Sequence, residues 1–106
     1  MGFYDRFKAP DLNDGLTRFR ETPGAVLLDV READEYAAGH VPGSINLPLS
    51  EIDTIETIFP DRDIPVFAYC LVGTRSRHAV SRMRSMGYSQ AESIGGIRSY
   101  SGELTY

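Results

Sequence analysis

Residues 64–86 read IPVFAYCLVGTRSRHAVSRMRSM. The opening letters, IPVFAYC, form an uninterrupted apolar run, which is typical of a strand covered on both faces of a sheet. Apolar residues then recur at helical spacing from Ala79 to Met86, and Gly87 follows as a left-handed C-terminal cap. The intervening LVGT leaves room only for a tight loop. This stretch therefore predicts a buried strand, a loop, and a helix that ends at Met86.

The flanking sequence continues this alternation of strands and helices. AVLLDV at 25–30 is a second consecutive apolar run, and shorter strands are predicted at 45–47 and 91–96. Helices are predicted in a segment that ends near residue 21, over 31–39 and over 50–59. Strands that alternate with helices in one short chain predict an α/β fold, in which a mainly parallel sheet carries helices on both faces.

The composition is that of an ordinary globular protein. The chain has 106 residues, of which 42% are hydrophobic and 25% are charged, and its formal net charge is −4. These values exclude a disordered tail, a collagen-like repeat and a disulfide-framed miniprotein. We expect a single domain over residues 1–106, in which residues 1–24 form an N-terminal arm and a short helix.

Charge and hydropathy also bear on partners and location. No apolar run approaches the roughly 20 residues that span a bilayer, and the N-terminal MGFYDRFKAP lacks the apolar core of a secretory signal. Mild acidity argues against nucleic-acid binding through the general field of the protein. We therefore expect a cytoplasmic protein that binds neither membranes nor nucleic acids.

The single cysteine, Cys70, ends the strand at 64–70. One thiol cannot form an internal disulfide or a redox pair, so Cys70 is either an inert buried side chain or a reagent. Ligands of open α/β sheets bind at the carboxyl ends of strands. There, Gly73 permits a loop whose amide groups converge on an anion, with a helix N-terminus and Arg75 beside it. A thiol held in such a loop ionises more easily and becomes a nucleophile at neutral pH.

Three segments of the sequence resemble the rhodanese homology domain. They are LLDVREADEYAAGHVPGSINLPL at 27–49, VFAYCLVGTRSRHAV at 66–80 and SIGGIRSYSGE at 93–103. Together these matches run from about Ala25 to Glu103, in the order of the family. The resemblance implies a rhodanese-like fold, an α/β domain around a five-stranded, mainly parallel sheet. It also implies an enzyme similar to thiosulfate sulfurtransferase, without a cofactor or a metal.

The resemblance and the positions of residues at the ends of the predicted strands together suggest roles for individual residues. Cys70 would carry sulfur as a persulfide, and the loop that binds the substrate anion would comprise Leu71, Val72, Gly73, Thr74 and Arg75. Candidate supporting residues are Asp29, Arg31 and Ser76; the first two could equally form a helix cap and an ordinary salt bridge. The chain departs from the family at two positions. Tyr100 stands where a tryptophan is usual, and Leu71 stands where enzymes that use thiosulfate often have a basic or polar residue.

Transfer would proceed through a small donor and an external acceptor. The Cys70 thiolate would take a sulfane sulfur from thiosulfate or a persulfide. Since the chain has no second cysteine, it cannot resolve the persulfide as an internal disulfide. The acceptor would be cyanide, a small thiol or the thiol of a partner protein.

Two other classes of function remain open. A phosphatase or arsenate reductase also places cysteine and arginine around an oxyanion. Its signature has five residues between them, whereas this chain has the four from Leu71 to Thr74. A non-catalytic rhodanese-like binding module is the other alternative. Such modules often lack the cysteine, which this chain retains.

Overall fold

The computed structural model of the protein describes residues 10–106, so most of the N-terminal arm predicted above lies outside the described residues. The strands are β1 (Val26–Asp29), β2 (Ile45–Asn46), β3 (Val66–Cys70) and β4 (Ala91–Gly96). The α-helices are α1 (Leu12–Arg20), α2 (Ala33–Ala37), α3 (Ile55–Ile58) and α4 (Thr74–Ser85). Two 3₁₀ helices span Leu49–Thr54 and Ile97–Ser99.

The four strands form one parallel sheet in the order β2-β1-β3-β4. The parallel α/β architecture is confirmed, but the expected number of five strands is wrong for residues 10–106. Only four runs in this part of the sequence have strand character, and each of them forms a strand. The C-terminal residues add a single antiparallel bridge, between His40 and Thr105, and no further strand.

Helices cover both faces of the sheet, as predicted. Every residue of β3 is buried, and alternate side chains enter two separate cores. Phe67 and Tyr69 pack on the α1 side with Leu16. Ala68 and Cys70 pack on the opposite side, among residues of α3 and α4. Burial on both faces explains why β3 is a continuous apolar run in the sequence.

The segment at 50–59 differs from the single helix predicted there. A 3₁₀ helix runs to Thr54, and α3 adds only one short turn. The buried residues Ile52 and Ile55 are three positions apart, which matches the three-residue repeat of a 3₁₀ helix. Ile58, at the end of α3, is 47% exposed and contributes little to the core. No helix within residues 10–106 has the length and apolar character needed to cross a membrane.

Candidate active site

The loop at the carboxyl end of β3 holds Cys70 against its neighbouring strand. Gly96 of β4 is the register partner of Cys70. The loop lies so close to Gly96 that a Cβ atom there would collide with the backbone of Leu71 and Val72. The amide of Arg98 donates to the Leu71 carbonyl at 3.1 Å. The end of β4 and the residues after it therefore fix the position of Leu71 and Val72, the first residues of the loop.

Gly73 turns the loop into α4. Its φ of +105° lies in the left-handed region, and it is the N-cap of the helix, a conformation that glycine adopts at little cost. Helix α4 thus begins at Thr74, slightly earlier than the sequence indicated. Arg75 and Ser76 follow in the first turn, and the positive end of the helix dipole faces the sulfur.

Two backbone amides converge on the Cys70 sulfur. The amide of Gly73 donates to Sγ at 3.0 Å and that of Ser76 at 3.3 Å. Burial raises the pKa of the Cys70 thiol, since the residue is only 1% exposed, but hydrogen bonds from Ser76 and Gly73 outweigh this effect. The pKa is consequently lower than usual for a cysteine, as expected where donors stabilise the thiolate.

Ser76 contributes its hydroxyl group to the same site. Its side chain is fully buried, and Oγ lies 3.6 Å from Cys70 Sγ and 3.1 Å from the Gly73 carbonyl. The hydroxyl of Ser93 in β4 lies 2.7 Å from Ser76 Oγ. The sequence did not indicate Ser93, because its contact with Ser76 depends on the register of β3 and β4.

Arg75 makes a bidentate ion pair with Glu35 of α2, at 2.6 and 3.0 Å. Glu35 also accepts the amide of Glu32 in a capping box. The hydrogen bond from Arg75 is the main cause that lowers the pKa of Glu35 to about 2. Arg75 therefore attaches the start of α4 to α2. The three-residue spacing of Glu32 and Glu35 was the available signal for a fixed carboxylate here.

Asp29 and Arg31 lie on the other face of the sheet. Asp29 is the register partner of Tyr69, and Arg31 lies over the Tyr69 ring. The guanidinium of Arg31 binds the Asp29 carboxylate at 2.7 Å and the Gly39 carbonyl at 2.8 Å. Both side chains are buried, and their hydrogen bonds hold the turn after α2. Among the described residues, none of these bonds reaches the loop after Cys70.

The remaining loop residues face outward. Val72 is 50% exposed and Thr74 is also exposed, while Leu71 is partly buried. A cavity of about 250 Å³ opens beside them. Its lining residues are Pro10, Leu71, Val72, Gly96, Arg98 and Ser99.

Comparison with known proteins agrees with this geometry. Residues 12–103 match the rhodanese-like domain. The thiosulfate sulfurtransferase PspE of Escherichia coli (strain K12) is 39% identical over 72 residues, which are 67% of this chain and 69% of PspE.

Solved structures of similar proteins share the fold. A rhodanese with anions from E. coli has a TM-score of 0.70 at 34% identity, over 76% of this chain and 96% of that one. The human single-domain sulfurtransferase TSTD1 has a TM-score of 0.69 at 28% identity, over 81% of this chain and 88% of that one. The chain, with its buried cysteine at the carboxyl end of a parallel strand, therefore belongs to the family of rhodanese-like domains.

Proposed function

We propose that this protein is a sulfurtransferase that moves a sulfane sulfur through a persulfide on Cys70. The observation that carries the proposal is the convergence of the Gly73 and Ser76 amides on Sγ at 3.0 and 3.3 Å. These donors favour a thiolate at neutral pH, and the thiolate is the nucleophilic form of cysteine. The family relationship supports the same chemistry.

The reaction has two balanced halves. The Cys70 thiolate attacks the outer sulfur of thiosulfate, a sulfur–sulfur bond forms, and sulfite leaves with the bonding electrons. Cyanide or a thiolate then attacks the outer sulfur of the persulfide and releases the Cys70 thiolate. Each half begins and ends with an anion within reach of the loop, so the same amide donors serve both steps. A persulfide donor would replace thiosulfate in the first half.

Residues 71–75 supply the environment of this anion. Leu71 to Gly73 form the turn that aims the amides, Thr74 begins α4, and Arg75 holds the helix to Glu35. The sulfur is deeply placed, since Cys70 is only 1% exposed. A donor that presents a single terminal sulfur atom can reach such a buried thiol more easily than a tetrahedral phosphate group can. Arg75 is also engaged by a carboxylate, which favours sulfur transfer over phosphate hydrolysis.

The acceptor must come from outside the chain. Cys70 is the only cysteine in the sequence, and a persulfide without a neighbouring thiol persists until an external nucleophile arrives. Cyanide, a small thiol or a thiol on a partner protein would each complete the cycle.

Intact mass spectrometry tests the proposal directly. The protein is incubated with thiosulfate or with a small persulfide, without reductant, and its mass is measured before and after addition of cyanide. We expect a gain of one sulfur atom that cyanide reverses. Cys70→Ser is the matched control, because its hydroxyl has a similar shape but neither ionises at neutral pH nor holds a sulfane sulfur.

The other two classes of function predict different results. A binding module would gain no sulfur from either donor. A phosphatase would hydrolyse an aryl phosphate efficiently without gaining sulfur. Either result would overturn the proposal, provided that circular dichroism shows the protein to be folded.

A further inference from the structure

A cleft of about 440 Å³ lies at the amino ends of β3 and β4, and we call it the β4 cleft. Its volume is within the roughly 300–1,000 Å³ that is usual for ligand sites. Its lining includes Arg18, Glu21, Pro65, Phe67, Arg84 and Glu92. Cys70 ends β3 at the opposite end of the sheet, roughly 13 Å along the strand from Val66. The β4 cleft is therefore separate from the site of sulfur transfer.

One pair of charges in the β4 cleft is already neutralised. Nη1 of Arg18 in α1 donates to both carboxylate oxygens of Glu92 in β4, at 2.7 Å. The same guanidinium lies over the Phe67 ring, with its Cζ atom 5.8 Å from the ring centroid. Arg18 and Glu92 therefore form a wall of little net charge, and Phe67 and Pro65 add apolar surface to it.

Glu21 and Arg84 are the two other charged residues of the lining, and both are exposed. Nε of Arg84 donates to the Ala91 carbonyl at 3.0 Å, which fixes the plane of the guanidinium. Within residues 10–106, neither Arg84 nor Glu21 belongs to an ion pair. The cleft thus presents one available guanidinium from the end of α4 and one available carboxylate from the residue after α1.

These two groups select a ligand that has opposite charges at its two ends. A guanidinium binds a carboxylate through two parallel N–H bonds, and a carboxylate accepts hydrogen bonds from an ammonium group. Because Arg84 and Glu21 form no ion pair with each other, a spacer must separate the charged ends of the ligand. An extended dipeptide, which spans about 7 Å, provides such a spacer. A simple anion or cation would satisfy only one of the two groups.

We infer that the β4 cleft binds a short peptide zwitterion. Its carboxylate binds Arg84, its ammonium group binds Glu21, and an apolar side chain lies against Phe67 and Pro65. This binding goes beyond the sulfur transfer proposed above, since no bond is made or broken in it and Cys70 takes no part.

Three dipeptides that differ in their end charges test the inference. Glycyl-leucine has both charges, N-acetyl-glycyl-leucine lacks the ammonium group, and glycyl-leucinamide lacks the carboxylate. Each peptide is titrated into the protein, and amide nuclear magnetic resonance follows the signals of Thr22, Ala91 and Glu92. We expect glycyl-leucine to shift these signals, and each blocked peptide to bind about threefold to fivefold more weakly, the effect of one exposed charge pair.

Two variants assign each end of the peptide to its partner. Arg84→Gln should weaken glycyl-leucine and N-acetyl-glycyl-leucine about threefold to fivefold, and it should leave glycyl-leucinamide unchanged. Glu21→Gln should weaken glycyl-leucine and glycyl-leucinamide by a similar factor and leave the acetylated peptide unchanged. Arg20→Gln and Asp14→Asn are the matched controls, because they remove the same charges from exposed positions of α1 outside the cleft. Neither control should alter the binding of any peptide.

The possible outcomes are distinct. If glycyl-leucine shifts none of the three signals, the cleft is refuted as its site. Equal binding of the three peptides, or an equal effect of Arg84→Gln on all of them, would refute the zwitterion as the ligand. Failure of Cys70 to gain sulfur, with the shifts present, would instead refute the proposed function and leave the peptide site standing.

Discussion

The hydroxyl oxygens of Ser76 and Ser93 lie 2.7 Å apart, and Ser76 Oγ is also 3.6 Å from the sulfur of Cys70. Ser76 has one hydroxyl hydrogen, and the Gly73 carbonyl and a thiolate can only accept hydrogen bonds. Among residues 10–106, Ser76 is the hydrogen-bond partner found for the Ser93 side chain. With Ser93 as the donor to Ser76, the Ser76 hydrogen is free for the thiolate or for the carbonyl of Gly73 or Gly95.

Removing the Ser93 hydroxyl should weaken this chain. Donors in series polarise one another, so we expect Ser93→Ala to raise the pKa of Cys70 slightly and Ser76→Ala to raise it more, because Ser76 contacts the sulfur directly. The rate of iodoacetamide alkylation against pH measures both values. Ser93→Thr retains the hydroxyl and should keep the original midpoint. An unchanged midpoint in both alanine variants would show that the amides alone stabilise the thiolate.

Gly96→Ala should displace the loop. The added Cβ would meet the backbone of Leu71 and Val72, which cannot move without shifting the amides that bind the sulfur. Loss of one well-aimed donor typically costs on the order of 100-fold in rate, and we expect a fall in sulfur transfer of at least about this size. Turnover in the thiosulfate and cyanide assay measures it.

Gly24→Ala is the control for the substitution at Gly96. Gly24 has a positive φ of 75°, yet a Cβ there would meet no atom within 4 Å. This variant should lose about 1 kcal/mol of stability from backbone strain and keep its turnover. If Gly96→Ala retained full activity, the loop would not depend on the close approach to β4.

Glu35→Gln should remove a pH-dependent part of the stability. The pKa of Glu35 is about 2 in the folded protein against an ordinary value of 4.5. A lowered folded pKa stabilises the protein above the unfolded pKa, and this contribution is lost as the pH falls towards the folded value. The ion pair with Arg75 should therefore act fully at neutral pH and fade between about pH 4.5 and pH 2.

Urea unfolding at neutral and acidic pH measures this effect. Both side chains are about one-third exposed, so solvent screens the pair, and we expect a loss of about 1 kcal/mol at neutral pH. The two proteins should converge as the pH falls to about 2. Asp53→Asn, which breaks the exposed pair with Arg82, serves as the control and should have no measurable effect. A constant difference at every pH would exclude the titration of Glu35 as its cause.

Asp29→Asn should reduce stability much more. Asp29 is fully buried and Arg31 is 6% exposed, and loss of one partner leaves an uncompensated buried charge that costs about 3–5 kcal/mol. Thermal and urea unfolding measure the loss. The pH profile of Cys70 alkylation should not change while the protein remains folded, since this pair lies on the other face. A shifted profile would reveal a connection through the sheet.

The features that were predictable from sequence are those encoded locally. Strands β1 and β3 follow from contiguous apolar runs, and the loop after Cys70 follows from one cysteine, one glycine and the start of a helix. The partners of this loop are distant in sequence, since Glu35 lies 40 positions before Arg75 and Ser93 lies 17 after Ser76. Their contacts depend on how helices and strands pack, which local patterns do not specify. The five-strand expectation came from the family resemblance and not from a fifth apolar run.

The Asp29–Arg31 pair and Cys70 lie on opposite faces of the sheet, so one large contribution to thermal stability is remote from the reacting sulfur. A mutational library restricted to the Cys70 face, at positions such as Val72 and Ser93, would vary sulfur chemistry while the buried pair continues to support the melting temperature. Substitutions of the Asp29–Arg31 pair should lower thermal tolerance before they alter the chemistry of Cys70. The two properties meet at the Arg75–Glu35 pair, which fixes the start of α4 and also contributes to stability.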